Sequence, residues 1–190
     1  MQILVLTQSH ARRAEVERFI ADVYHRHYGA SLPAFPPALI ALMGRDGQCQ
    51  CAAGLRFAET GFFSECYLEQ PIEDLLAQAS GGPVRRERIF EVSGLASRAP
   101  QRAAQFLRYI VAYGEGAGFD WAFFTATARL RGFLRILGLP VLILGDAEKQ
   151  RAETPHIWGS YYDGRPLVCA ISRSVAQTYL SDEARSLAHA

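Results

Sequence analysis

The chain predicts a single α/β domain, mixed in its α and β content, in which helices cover a central sheet. Three observations predict it. From Ile89 to Leu144, apolar runs and helical periodicities alternate as strand, loop, helix, strand, helix, strand, the order that layers helices on a sheet. Asp46-Gly47 and Asp163-Gly164 each lie between two apolar runs, as hairpin turns do. No hydrophilic stretch in the 190 residues reads as a linker, so 1–190 is taken as one domain, with about 174–190 as a C-terminal helix or tail.

Met1-Gln2-Ile3-Leu4-Val5-Leu6-Thr7 reads as the first strand, because it lacks the basic region and longer apolar core of a secretory signal. Val16, Phe19, Ile20 and Val23 recur at helical spacing behind a cap expected at Ser9, and this helix should end before Gly29. Pro33, Pro36 and Pro37 then interrupt regular structure. Residues Ala38 to Met43 and Cys49 to Phe57 flank Gly44-Arg45-Asp46-Gly47 and predict a hairpin. Pro71 opens a short helix through Ile72, Leu75 and Leu76 that Gly81-Gly82 closes.

Ile89 to Ala96 is an apolar strand interrupted by Gly94, where a bulge or a close backbone approach is expected. The next helix begins near Pro100, carries Phe106, Leu107, Ile110 and Val111 on its apolar side, and stops at Gly116 and Gly118. Its free amides and positive dipole end would lie beside Arg98 and Arg102, which suits a phosphate. Trp121 to Thr127 is apolar on both faces, as a central strand is. Leu130, Phe133, Leu134 and Leu137 mark a further helix, Val141 to Leu144 a further strand, and Ile157 to Tyr162 with Leu167 to Ile171 a closing hairpin.

Composition excludes several classes. Twenty Lys and Arg against nineteen Asp and Glu leave a net charge of +1, which favours neither nucleic acid nor an anionic membrane surface. A hydrophobic content of 49% is ordinary, and no apolar run approaches a bilayer span, so no integral membrane segment is expected. Cys49, Cys51, Cys66 and Cys169 lack zinc-type spacing and read as reduced thiols, which points to the cytoplasm. His10, His25, His27, His156 and His189 are scattered, so no metal site is expected. For Ser93 and Ser160 no His and Asp partners make a hydrolase triad credible.

The element order resembles the N-acetyltransferase (GNAT) superfamily, and within it the branch of acyl-homoserine-lactone synthases. That branch carries Glu-x-Ser-Arg on its bulged strand, whereas Glu91-Val92-Ser93-Gly94 keeps the acid and the serine without the arginine. Gly54-Leu55-Arg56, Glu65-Cys66-Tyr67-Leu68, Glu91 to Ala96, Phe124-Thr125-Ala126-Thr127 and Trp158-Gly159-Ser160-Tyr161-Tyr162 resemble, in order, blocks of the bacterial thermostable hemolysin family. The resemblance implies a GNAT-like, mixed and mostly antiparallel sheet with helices on both faces and a splayed strand pair that forms the ligand cleft. It also implies transfer of an acyl group from a thioester to a small amine or amino acid.

Under that resemblance, acyl-CoA or acyl-phosphopantetheine is a co-substrate and no cofactor is tightly bound. Backbone amides near Ser93, Gly94, Leu95 and Ala96 would polarise the thioester carbonyl, and Arg98 and Arg102 would hold its phosphates. The phosphate loop of the superfamily survives only as Arg98-Ala99-Pro100-Gln101-Arg102-Ala103, without its central glycine, which makes an acyl carrier protein an alternative donor. Glu91 is the candidate general base, since a carboxylate buried beside Phe90 and Val92 would have a raised pKa; the competing reading is an exposed or arginine-paired Glu. Tyr161 or Tyr162 would be the acid.

Arg56, Glu65, Tyr67, Thr125 and Trp158 would bind the acceptor or wall the acyl site, although pairing of Arg56 with Glu65 and plain core packing of the aromatic run are equally simple accounts. Two other functions stand as alternatives. One is a cytolysin acting on membranes, for which no inserting segment is found. The other is a non-catalytic sensor binding acyl-CoA or S-adenosylmethionine.

Overall fold

The computed structural model describes residues 1–32 and 34–188, with side chains through 182. Pro33 and His189 lie outside the described residues. The first strand, β1 (Gln2–Leu6), pairs antiparallel with β2 (Ala38–Met43). Between them, α1 (Arg13–Tyr28) buries Val16, Phe19, Ile20, Val23 and Tyr24 along one stripe. It ends at Gly29, whose amide returns to the His25 carbonyl. Ser9 does not cap it. The cap position is Arg12, and the Arg12 amide donates to His10 Nδ1 (3.1 Å), so a ring nitrogen takes the place expected of the serine hydroxyl.

Strands β2 and β3 (Cys49–Phe57) form the expected hairpin. A single turn of 3-10 helix (Ser64–Tyr67) and α2 (Ile72–Ser80) lead to β4 (Ile89–Ser97), which is followed by α3 (Pro100–Gly116) with Pro100 in its first turn. Then come β5 (Trp121–Ala126), α4 (Ala128–Ile136), β6 (Leu142–Asp146), β7 (Leu167–Ser172) and α5 (Arg173–Ala188). The seven strands make one sheet in the order β1-β2-β3-β4-β5-β7-β6. Every neighbouring pair is antiparallel except β4 and β5, which run parallel.

Side chains alternate between the two faces with the period of a strand. Ile40, Phe124 and Ile171 meet Phe106 and Ile110 of α3, Leu134 of α4 and Tyr179 of α5. On the opposite face, Leu39 and Ala41 meet Phe19 and Ile20 of α1, while Phe123, Val168 and Ala170 meet Ile72 and Leu76 of α2. Each large apolar side chain buried this way contributes roughly 1.5–3 kcal/mol relative to exposure. β5 is central, as its two apolar faces predict.

The closing hairpin expected from Ile157 to Tyr162 is absent. β7 pairs with β5 and β6 instead, and the aromatic run is two 3-10 turns, Pro155–Trp158 and Tyr161–Gly164. Gly159 (φ 52°, ψ −127°) and Ser160 (φ −89°, ψ 10°) have the angles of a type II′ turn. This turn is docked on the end of α1. The Ser160 amide donates to the Tyr28 carbonyl and the Ser31 amide to the Ile157 carbonyl, both at 2.8 Å. Those two contacts commit backbone groups a ladder would need, and they override the β-propensity of the aromatic residues.

Candidate functional site in the splay between two parallel strands

β4 and β5 are paired only at Ile89↔Trp121, Phe90↔Ala122 and Glu91↔Phe123. On its other edge β4 stays paired with β3 as far as Ser97. There Ala52↔Ala96 and Gly54↔Ser93 bracket a bulge in which Ala53 faces both Gly94 and Leu95. Gly94 supplies it with a φ of 59°, which a side chain would strain. The bulge bends β4 away from β5, so the strands part after Glu91 and the β5-facing backbone of Val92 to Ala96 has no ladder partner there.

A cavity of about 700 Å³ opens at this parting. Val92, Ser93, Gly94 and Leu95 line it from β4, and Phe124 and Thr125 from β5. Between the sheet and α3 and α4 its wall is apolar, built of Phe106, Leu107, Ile110, Phe133 and Leu134. On the other face its wall is aromatic with hydroxyl groups: Tyr24, Tyr28, Phe63, Tyr67, Trp158 and Tyr161. His27 and Arg129 also line it, both exposed to solvent. This lining suits a ligand with an apolar tail and a polar head.

Glu91 is fully buried, with 0% exposure, and is not in the cavity wall. Its carboxyl accepts the Phe63 amide (2.6 Å), the Ser64 amide (2.9 Å) and the Ser64 hydroxyl (2.6 Å). Burial pushes its pKa above the usual carboxylate range; the Ser64 hydroxyl, the two amides and the charge of Arg56, directly opposite on β3, pull the other way. Ser64 Oγ lies 2.9 Å from Thr125 Oγ1, and both residues face the cavity.

Tyr161, 8% exposed, lines the cavity, and its hydroxyl donates to the Thr125 carbonyl (3.4 Å). Burial holds its proton far more tightly than a free phenol does. Tyr162 is not in the cavity wall; its hydroxyl meets that of Tyr67 at 2.5 Å, and burial raises the pKa of both.

Besides Glu91 and Tyr162, five residues named from the sequence stand outside the cavity wall. Glu65 is bound by Arg86 (2.6 Å), not by Arg56, and accepts the Ile72 amide (3.1 Å). Burial pushes its pKa up, but the hydrogen bond and charge of Arg86 with the Ile72 amide bring it below the usual range. Arg56 faces Glu91, with its Nε buried and lacking a hydrogen-bond partner among the described residues. Arg98 pairs with Asp22 (3.0 Å) and lies over the Phe19 ring (5.2 Å), and Arg102 lines a separate shallow pocket with Arg45 and Asp46. Ala96 is buried against α1. In contrast, Ser93, Gly94, Leu95, Tyr67, Thr125, Trp158 and Tyr161 converge on one space.

Sequence reasoning missed Ser64, Tyr24 and Tyr28, which reach the cavity through long-range packing rather than any local pattern. Among the described residues no group of three His, Cys, Asp or Glu could hold a metal ion, and the four cysteines are free. No helix of the described residues is long and apolar enough to cross a membrane.

Comparison with known proteins extends this geometry. A family model described as "Thermostable hemolysin" matches residues 6–177. No curated protein matches the chain. Among solved structures, FeeM, an N-acyl amino acid synthase from uncultured soil microbes, superposes with a TM-score of 0.65 at 12% identity over 94% of this chain and 99% of its own. The AHL synthase LasI superposes with a TM-score of 0.62 at 13% identity over 94% of both chains. BjaI, a CoA-dependent acyl-homoserine lactone synthase solved with SAM and isopentyl-CoA, gives a TM-score of 0.62 at 12% identity over 95% of this chain and 88% of its own. At these identities the likeness is one of fold, and the fold is GNAT-like.

Proposed function

The chain belongs to the thermostable hemolysin family, and we propose that it is an N-acyltransferase that moves an acyl group from a thioester to a small amine or amino acid. The observation that carries this reading is the parting of β4 and β5 after Glu91↔Phe123 onto a cavity of about 700 Å³. An arm carrying a thioester fits between the parted strands, and an acyl tail fits the apolar wall under α3 and α4. Solved structures of the same fold are named as synthases of acylated small molecules, and one holds isopentyl-CoA.

The β4 backbone beside the bulge, unpaired on its β5 side, supplies the amides that polarise the thioester carbonyl; one such donor is worth roughly 2.7–4 kcal/mol in the transition state. The amine enters from the aromatic side and attacks the carbonyl carbon. The C–N bond forms, the C–S bond breaks, and the electron pair leaves on sulfur. Glu91 takes up the amine proton, a contribution of roughly 10²–10⁴-fold. Tyr161, protonated and in the cavity wall, donates toward the departing sulfur. Arg98 and Arg102 flank the start of α3, where the phosphates of coenzyme A or of a carrier protein's phosphopantetheine would lie, and Arg98 would exchange Asp22 for a phosphate.

The test is release of free thiol by purified protein offered long-chain acyl-CoA or acyl carrier protein with a panel of amines and amino acids, with the N-acyl product identified by mass spectrometry. Amine-dependent thiol release with an equal amount of amide supports the reading. Thermal stabilisation by donor without turnover supports a sensor instead. Leakage of dye from protein-free liposomes without donor, unchanged in Glu91→Gln, supports a cytolysin.

A further inference from the structure

A base must reach its proton, and Glu91 does not reach the cavity. Its carboxyl is sealed behind Phe63 and Ser64, so an amine in the cleft cannot touch it. Among the described residues, one chain of hydroxyl groups joins it to the cavity. Ser64 Oγ lies 2.6 Å from Glu91 Oε1 and 2.9 Å from Thr125 Oγ1, and Ser64 and Thr125 both line the cavity. We propose that Thr125 and Ser64 form a hydroxyl relay that carries the proton of the attacking amine to Glu91, with Thr125 the residue that meets the amine.

The relay's direction follows from donor counting. An ionised carboxylate only accepts, so the Ser64 hydroxyl donates to Glu91. With its hydrogen spent there, Ser64 accepts from Thr125. The lone pairs of Thr125 Oγ1 are then open to an amine N–H. As the C–N bond forms, the amine proton passes to Thr125 Oγ1, the Thr125 proton to Ser64 Oγ and the Ser64 proton to Glu91, so each hydroxyl ends neutral and no alkoxide is made. The two backbone amides on Glu91 remain in place throughout and fix the carboxylate for the next turn. Phe63 and Ser64 thus act on Glu91 as positioning residues through the same 3-10 turn whose hydroxyl conducts the proton.

The inference rests on the acyltransferase reading, and its test is arranged to separate the two. Thr125→Val keeps shape and removes the hydroxyl; Thr125→Ser keeps the hydroxyl. In the thiol-release assay, Thr125→Val and Ser64→Ala should each lower kcat by roughly 10²-fold with KM for the amine changed less than about threefold. Thr125→Ser should recover kcat to within a few fold, and the Thr125→Val, Ser64→Ala double variant should be no worse than either alone. If either single variant fails to fold, the wild-type rate in H2O/D2O mixtures decides: a curved proton inventory supports several protons in flight, and a straight line overturns the relay. Thr125→Val at wild-type kcat while Glu91→Gln is inactive also overturns the relay and leaves Glu91 as base. Wild-type kcat in Glu91→Gln, or no turnover in the wild type, removes both.

Discussion

Gly159→Ala should loosen the aromatic wall of the cleft. Gly159 has φ 52° and ψ −127°, and a Cβ built there would stand 1.9 Å from the Tyr28 carbonyl oxygen. Adopting that backbone with a side chain costs about 1–3 kcal/mol. The overlap also forces the turn away from α1 and breaks the 2.8 Å bond from the Ser160 amide to Tyr28, a net loss of about 0.5–1.5 kcal/mol. Together the expected loss is about 1.5–4.5 kcal/mol, which for a domain of this size lowers Tm by about 3–18 °C. Thermal unfolding by circular dichroism reads this directly. Gly116→Ala is the control: nothing lies within 4 Å of its Cβ at the end of α3, and helix propensity alone should stabilise by up to about 1 kcal/mol. Because the same turn carries Trp158 and Tyr161, KM for the amine should rise in Gly159→Ala. A Tm within about 2 °C of wild type would refute the reasoning that this turn is pinned on α1.

Glu91→Gln should keep the fold and lower turnover by roughly 10²-fold or more, measured as thiol release beside a circular dichroism spectrum; retained turnover would make Glu91 purely structural. The pH–rate profile should rise with an apparent pKa above the usual carboxylate range, because burial raises the pKa of Glu91, and that limb should vanish in Glu91→Gln. Stability has a matching sign: the folded pKa lies above the unfolded one, so the folded state holds this proton more tightly and stability falls as pH rises from the unfolded to the folded value. Glu65 has the opposite sign. Its net pKa is lowered, despite the upward push of burial, by Arg86 and the Ile72 amide, so it contributes stability above its unfolded pKa that is lost as pH falls through the folded value. Urea unfolding of Glu65→Gln across pH 3 to 7 should show that acid-limb slope reduced, and an unchanged slope would assign it elsewhere.

Much of the fold could be read from local pattern. The Val16, Phe19, Ile20, Val23 stripe, the Gly44 to Gly47 turn, Pro71 and Pro100 as helix starts and the doubly apolar Trp121 to Ala126 strand each depend on neighbours within one turn, so periodicity and breakers suffice. The aromatic run failed because Trp158, Tyr161 and Tyr162 have the propensities of a strand, whereas their backbone is decided by Tyr28 and Ser31, more than 120 residues away in sequence. The ion pair of Arg98 was illegible for a similar reason, since its partner Asp22 comes from α1. In the site, the bulge at Gly94 was legible as a glycine inside an apolar strand. Ser64 was not, because nothing in Phe62-Phe63-Ser64 shows that a 3-10 turn folds it onto a carboxylate in β4.

The most direct test of the cleft is a crystal structure with an acyl-pantetheine analogue in which a methylene replaces the thioester sulfur. The account predicts the arm between β4 and β5 beside Gly94, the carbonyl oxygen at the β4 amides and the acyl tail under α3 and α4 against Phe106 and Leu134. An analogue bound elsewhere, or β4 and β5 closed into a continuous ladder beyond Glu91↔Phe123, would contradict it.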